Sequence, residues 1–225
     1  MIPHDTRLRR HAPLIVLEVL LVGTLIFEIA RENGPAVFLL SALVLAALVP
    51  LALEPIARAT IPVTLQLLYA VLLFGGAFLG TYVHVYGVWT PWDTVVHFFS
   101  GILIALGADH AWRILSRRHG FALPTWLWGL AIVSFSAFIA FLWEVAEFVT
   151  DLVSDSNAQV NNLDTMTDMI AGTTSALIVV VVLALTRAGG SNVRVTRTGY
   201  SITPHARRLP ASPVERVSSS GPSGA

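Results

Sequence analysis

The sequence predicts an all-α protein, a polytopic membrane bundle of about six transmembrane helices. Two observations lead to this prediction. First, 55% of the 225 residues are hydrophobic and only 12% are charged, whereas about a quarter of the residues in a soluble domain carry charge. Second, residues 35–53, 59–92, 119–143 and 169–186 contain no acidic or basic side chain other than histidine. A helix of about 20 apolar residues crosses a bilayer, so each of these runs is long enough for a span.

The spans follow in chain order from these runs and their flanking residues. We predict them at residues 12–30, 35–53, 61–84, 94–114, 125–150 and 164–187. The basic segment from Met1 to His11 precedes an uncleaved first span, and Pro35 suits the first turn of the second. Short-range ion pairs are expected between Glu54 and Arg58 and between Asp109 and Arg113, four residues apart. Glu28 and Arg31, three residues apart, are expected to pair as well.

Arginine placement predicts the orientation in the membrane. With six spans both termini share a side, and 13 of the 14 arginines fall on that side, leaving only Arg31 on the other. Cytoplasmic segments are enriched in basic residues, so both termini are expected in the cytoplasm. Residues 1–187 form the predicted transmembrane domain. Residues 188–225, rich in Gly, Ser, Pro and Arg, are expected to form a disordered cytoplasmic tail.

The composition excludes several kinds of chemistry. There is no cysteine and no lysine, so disulfides, thiolate metal sites, a P-loop and a Schiff-base lysine are all ruled out. The HExxH and GxSxG signatures are also absent. The familiar hydrolase and nucleotide-binding signatures therefore give no indication of a reaction.

Two segments repeat one pattern, in which an acid or imidazole is followed by small residues at every fourth position. The first set is Asp93, His97, Gly101 and Ala105, and the second is Asp164, Asp168, Gly172 and Ala176. Residues four apart share a helix face, and small residues allow membrane helices to approach closely. We therefore expect the fourth and sixth spans to pack together beneath a polar layer.

The fifth span adds Glu144 and Glu147, three residues apart and on one face. The predicted topology brings three helices to one level in the outer leaflet, where carboxylates and an imidazole suit a divalent cation. The predicted metal ligands are Asp93, His97, Glu144, Glu147, Asp164 and Asp168. The cofactor expected from them is a divalent metal ion whose identity the sequence leaves open.

Simpler interpretations exist for some of these residues. Asp93 and Asp164 are also explained as helix N-terminal acids, which are favourable there without any ligand. Asp151 and Asp155 are expected to be solvated loop acids. His97, Glu144, Glu147 and Asp168 lie inside predicted spans, where an ionisable group is costly and usually faces a bundle interior.

Three motifs resemble those of a known family. WDTVVHFFSG runs from Trp92 to Gly101, LWEVAEF from Leu142 to Phe148, and LDTMTDM from Leu163 to Met169. In this order they resemble the YjdF-like bacterial inner-membrane proteins, a family of unknown function, and more loosely the VanZ-like membrane proteins. The resemblance implies a multi-pass protein of the bacterial cytoplasmic (inner) membrane and supports the site without implying a reaction. Ser175 departs from the family pattern, which usually has glycine there.

Two functions fit these features. One is metal-dependent chemistry on a lipid or headgroup at the outer leaflet, with a metal-activated water as nucleophile and Glu144 or Glu147 as base. The alternative is a protein that binds or transports cations or protons through the same cluster. The short spans without an evident break and the site near the membrane boundary favour the first. Membrane lipids are the expected partners, nucleic acid is not expected, and the sequence leaves open whether the protein is an enzyme.

Overall fold

The computed structural model describes residues 9–154 and 158–190, and every regular element in these ranges is helical. Six helices are long and apolar enough to cross a membrane: Ala12–Ala30, Gly34–Ala57, Val63–Tyr82, Trp92–His119, Thr125–Val153 and Asn162–Arg187. The all-α bundle with about six spans is therefore confirmed, and we number these helices as the first to sixth spans. The sixth helix itself continues to Gly190. The predicted disordered tail begins at residue 188, so its first three residues are helical instead; the rest of it, from residue 191 onward, lies outside the described residues.

Two of the spans change their local winding. The second consists of helices Gly34–Ala47 and Val49–Ala57, with Pro50 and Pro55 in the second of them. The third is α-helical over Val63–Leu73 and π-helical over Phe74–Tyr82, and a short helix, Val85–Val88, follows. The prediction of spans without a break did not foresee this π-helix, in which each N–H bonds to the carbonyl five residues back.

The spans pack as two groups of three. The first three share a core of leucines with alanine and phenylalanine: Leu14, Leu17, Leu21, Leu40, Leu43, Ala47, Ala70 and Phe78. The last three share a smaller core of Ala105, Trp128, Ile132, Ala176 and Val180. The fourth and sixth spans make the most extensive contact in the described chain, and the third packs against the fourth to join the two groups.

Most of each span faces outward from the bundle. Only 22–28% of the most apolar window of each span is buried, and the large side chains exposed there are apolar, as with Val16, Phe38 and Ile56. In a bilayer these surfaces meet lipid chains instead of water, so their exposure carries no penalty.

Ion pairs and hydrogen bonds gather basic side chains at one end of the bundle. Arg10 pairs with Glu54 at 2.9 Å, and Arg118 donates from Nη2 to the carbonyl oxygens of Ala57 and Arg58, each at 2.7 Å. The prediction that Glu54 pairs with Arg58 is wrong. Glu54 instead accepts from Arg10, because Arg58 turns into the left-handed region at the helix end.

The two other predicted ion pairs are present. Arg113 donates to Asp109 at 2.8 Å at the arginine-rich end. Arg31 lies 3.7 Å from Glu28 at the opposite end. Glu28 is also buried and accepts from the Tyr82 hydroxyl at 2.7 Å, which ties the first span to the third.

Candidate metal centre

Six side chains converge where the fourth, fifth and sixth spans meet, at the end of the bundle opposite the arginine-rich end. They form three overlapping groups, in each of which one potential ligand atom per residue lies within 4.8 Å of the others. The groups are Asp93, His97 and Glu147; His97, Glu144 and Asp168; and Asp93, Asp164 and Asp168. Every residue that the sequence analysis selected as a ligand belongs to at least one group.

His97 is at the centre of this cluster. Its Nε2 lies 3.5 Å from Oδ1 of Asp93 and 3.7 Å from Oε1 of Glu144. Only 4% of His97 is exposed, and its ring meets the edge of Trp143 with the centroids 6.3 Å apart. One imidazole nitrogen thus faces carboxylates from two different spans, which is the arrangement expected of a ligand shared within a metal site.

Two carboxylate oxygens in the cluster are buried without a hydrogen-bond partner. They are Oε1 of Glu144 and Oδ1 of Asp168, and these residues are only 4% and 2% exposed. A buried polar atom is nearly always paired, and an unpaired buried charge is more costly still. Both residues belong to the group that contains His97, so a cation bound among these carboxylates would supply the missing partner.

Two threonines support the acids and were not selected from the sequence. The Thr165 hydroxyl lies beside the Glu144 carboxylate and accepts from Nε2 of Gln159 at 2.9 Å. The Thr94 hydroxyl lies beside the Asp168 carboxylate. Thr94 follows Asp93 as Thr165 follows Asp164, so the repeat of the two segments includes both threonines. That repetition was the signal by which the sequence could have revealed them.

Glu147 differs from its neighbours because it already has a partner. Trp143 donates from Nε1 to Oε1 of Glu147 at 2.9 Å. Glu147 is half-buried, whereas Glu144 is fully buried. The two glutamates of the fifth span therefore reach the same cluster in different environments.

Helix capping does not explain the terminal acids. Asn161 caps the sixth span, since its Oδ1 accepts from the N–H groups of Leu163 at 2.9 Å and Asp164 at 3.2 Å. The fourth span begins after Pro91 without a side-chain cap. Asp93 and Asp164 do lie in the first turns of their helices, where a carboxylate is favourable, and each also belongs to a candidate ligand group.

Of the two predicted loop acids, Asp151 belongs to none of the candidate ligand groups. Asp151 is not a solvated loop acid: it lies in the fifth span and accepts from the N–H groups of Ala158 and Gln159, each at 2.8 Å. It therefore orders the start of the following loop. Asp155 lies outside the described residues.

Close packing forms the inner boundary of the cluster. A Cβ atom on Gly101 would overlap the Gly172 carbonyl group and the Ser175 hydroxyl. Ala105 and Ala176, one turn further along each helix, are completely buried. The predicted close approach of the fourth and sixth spans is confirmed. The Ser175 hydroxyl donates within its own helix to the Gly172 carbonyl at 2.9 Å.

The π-helical part of the third span forms a wall beside the cluster. Gly80 leaves room for the Tyr86 ring, which a Cβ atom there would overlap. Trp92 donates from Nε1 to the Gly75 carbonyl at 2.9 Å. Burial raises the pKa of the Tyr86 hydroxyl well above its ordinary value, and the charges of Asp93, Glu147 and Asp168 raise it further. Tyr86 is thus a neutral hydroxyl next to the acids, and π-helices are frequent at such sites.

The fold and the cluster define a class: a six-span helical membrane protein with an imidazole and carboxylate cluster at one end of its last three spans. The chain belongs to the family of predicted membrane proteins DUF2238, whose sequence profile matches residues 12–189. The resemblance to the YjdF-like and VanZ-like membrane proteins stays a prediction.

A curated relative from Thermotoga maritima, described as an uncharacterized protein, is 29% identical over 120 residues. This match covers 51% of the present chain and 59% of the relative. No solved structure matches the chain.

Proposed function

We propose that the cluster is a divalent-cation site on the outer side of the membrane and that the bound cation serves chemistry on a lipid headgroup. One observation carries the proposal. Glu144 and Asp168 each keep a buried oxygen without a hydrogen-bond partner, and both residues belong to the candidate ligand group that contains His97. A cation is the simplest group that satisfies two carboxylates and an imidazole together.

Charge supports the same conclusion. The cluster contains five carboxylates and one imidazole, and Arg31, the only arginine predicted on this side, is engaged with Glu28. Buried charges of one sign are tolerated when paired or metal-bound. Oxygen and imidazole ligands suit Mg, Mn, Ca, Fe or Zn, and metal analysis will distinguish among them.

The location of the cluster supports surface chemistry over transport. Transport would need a polar route from the cluster to the arginine-rich end of the bundle. Directly beneath the cluster, however, Gly101 packs against the Gly172 backbone and the fully buried Ala105 and Ala176 follow. This packing favours a site that opens to one side only.

A divalent cation held here would supply Lewis acidity to water or to a headgroup oxygen. The protein would contribute a base. Glu147 is suited to this role because it is half-buried and its Oε1 is oriented by Trp143. In hydrolysis of a headgroup ester, the water oxygen bonds to the ester centre and the ester bond breaks. Glu147 passes the proton from the water to the leaving oxygen.

The orientation is part of the proposal. Arginines 10, 58, 113, 118 and 187 make contacts at one end of the bundle, and basic residues are retained in the cytoplasm. We therefore propose a bacterial inner-membrane protein with both termini cytoplasmic and the cluster in the outer leaflet, where membrane lipids are its partners.

The test of the cation site is metal analysis of protein purified in detergent, before and after dialysis against each of Mg, Mn, Ca, Fe and Zn. We expect a tightly bound divalent cation in the wild-type protein and a strong loss of binding in Glu144→Gln and Asp168→Asn. Glu32→Gln is the matched control, because Glu32 is an exposed acid near the same end of the first span. A wild-type protein that binds none of the five metals contradicts the proposal.

The test of the chemistry uses the metal-loaded protein in phospholipid vesicles. Headgroup release is followed by mass spectrometry with and without EDTA. We expect release that EDTA abolishes and that Glu147→Gln lowers by about 10²–10⁴-fold, the usual contribution of a general base. Metal binding without any release restricts the protein to cation binding and contradicts the enzymatic part.

A further inference from the structure

We infer that the cluster holds two cations, one bound by His97, Glu144 and Asp168 and the other by Asp93, Asp164 and Asp168, with the Asp168 carboxylate bridging them. The inference rests on the proposed cation site and extends it to a dinuclear centre. It follows from the way in which the three candidate groups share their members.

Three residues each belong to two groups. His97 belongs both to the group with Asp93 and Glu147 and to the group with Glu144 and Asp168. The third group, Asp93, Asp164 and Asp168, shares Asp93 with the former and Asp168 with the latter. Glu147, Glu144 and Asp164 each belong to a single group. Whether two groups can be filled at once therefore depends on whether their common residue can bind two ions.

A histidine nitrogen and a carboxylate differ in this respect. The lone pair of an imidazole nitrogen binds one ion, whereas a carboxylate has two oxygens and about four lone-pair sites. In His97 the same nitrogen, Nε2, faces both Asp93 and Glu144. The two groups that contain His97 therefore exclude each other. The group of Asp93, Asp164 and Asp168 can be filled together with either of them, because the residue it shares with each is a carboxylate. That residue is Asp93 in one case and Asp168 in the other.

The buried oxygens without hydrogen-bond partners indicate which of the two groups that contain His97 binds the first ion. Glu144 and Asp168 each have an oxygen without a partner, and all three residues of their group are buried. In the competing group, Glu147 is half-buried and its Oε1 accepts from Trp143. The first ion thus binds at His97, Glu144 and Asp168, and Asp168 becomes the bridge to the second.

The charges of the ligands in the two sites then balance, with Glu147 outside both sites and bonded to Trp143. The two sites use a neutral imidazole and the four carboxylates of Asp93, Glu144, Asp164 and Asp168, which carry four negative charges when ionised. Two divalent cations neutralise them. A single cation would leave two negative charges in a largely buried site at a high desolvation cost. Two-metal sites in enzymes hold their ions about 3.5–4 Å apart, which one bridging carboxylate can span.

The experiment measures the number of Mn²⁺ ions bound per chain in detergent, by equilibrium dialysis and elemental analysis, together with electron paramagnetic resonance spectra. For the wild-type protein we expect two ions and a spectrum broadened by exchange coupling. Asp164→Asn removes a ligand of only the second site and Glu144→Gln a ligand of only the first. Each variant should bind one ion with the six-line spectrum of isolated Mn²⁺, whereas Glu32→Gln should bind two.

The outcomes separate this inference from the proposed function. One ion per wild-type chain, or two ions without coupling, overturns the dinuclear centre and leaves the cation site standing. No bound ion overturns both. Because these decisive readings come from the wild-type protein, a variant that fails to fold does not obscure them. Two ions in Asp164→Asn would overturn the assignment of the second site.

Discussion

The carbonyl oxygen of Gly172 lies so close to Gly101 that a Cβ atom on Gly101 would overlap it. The backbone of the sixth span therefore contacts the fourth span directly at this point. The contact lies one helical turn from His97 and Asp168, so it fixes the separation of the two helices that carry them. In a bilayer such close backbone contact is a main source of helix association.

The two glycines of this contact should respond differently to the same substitution. Gly101→Ala places a methyl group against the Gly172 backbone and should destabilise the protein by about 1–3 kcal/mol, as overpacking does. A Cβ on Gly172 would lie 3.4 Å from the His97 carbonyl oxygen and 3.5 Å from Cβ of Ala140, so Gly172→Ala should be tolerated much better. Thermal unfolding in detergent measures both variants, and equal losses would contradict this account.

The threonine beside Glu144 should influence metal affinity without being a ligand. Thr165→Val removes the hydroxyl that lies beside the Glu144 carboxylate. Loss of such a supporting contact usually lowers metal affinity about 10–100-fold. Thr167→Val is the matched control, because Thr167 is exposed and its hydroxyl bonds only to the Leu163 carbonyl in its own helix. Titration with Mn²⁺ gives both dissociation constants, and unchanged affinity in Thr165→Val would count against the supporting role.

Metal removal should lower the stability of the wild-type protein. A ligand present at 100 times its dissociation constant stabilises the folded state by about 2.7 kcal/mol. We therefore expect EDTA to lower the thermal midpoint of the wild-type protein. Glu144→Gln, which lacks one ligand, should show a much smaller response. An identical EDTA effect in both proteins would place the responding ion elsewhere.

Asp109 should be important for the arginine-rich end of the last three spans. It is buried and accepts from Arg113 at 2.8 Å, from Arg187 at 2.5 Å and from Nε1 of Trp128 at 3.2 Å. Asp109→Asn weakens these contacts and should cost about 1–3 kcal/mol, read as a lower thermal midpoint in detergent. Arg117→Gln, an exposed change at the same end, should have little effect. A stable Asp109→Asn protein would show that apolar packing suffices there.

The orientation can be tested with topology reporters in a bacterial inner membrane. A reporter that functions only in the cytoplasm should be active when it is fused after Arg187. A reporter that functions only on the outer side should be active when it is inserted between Asp151 and Asn162. The reverse pattern would move the cluster to the inner leaflet and remove the proposed access to outer-leaflet lipids.

The sequence alone determined the number and approximate limits of the spans. This was possible because bilayer thickness sets a minimum apolar length, and residues 35–53 and 169–186 meet it without long-range information. Because successive spans cross the membrane in opposite directions, Asp93, Glu144 and Asp164 were predicted at one end. Helical periodicity put His97 and Asp168 on the faces that meet, since residues four apart are neighbours on a helix.

Only the tertiary structure decided which atoms face each other. The spacing of Glu54 and Arg58 allowed an ion pair, but the fold brings Arg10, 44 residues away, to the same carboxylate. The π-helical winding of Phe74–Tyr82 and the seating of Tyr86 against Gly80 likewise depend on contacts between elements. Local periodicity fixes which face of a helix a residue occupies. The rotation, depth and partners of that face follow from packing against other helices, which involves residues distant in the sequence.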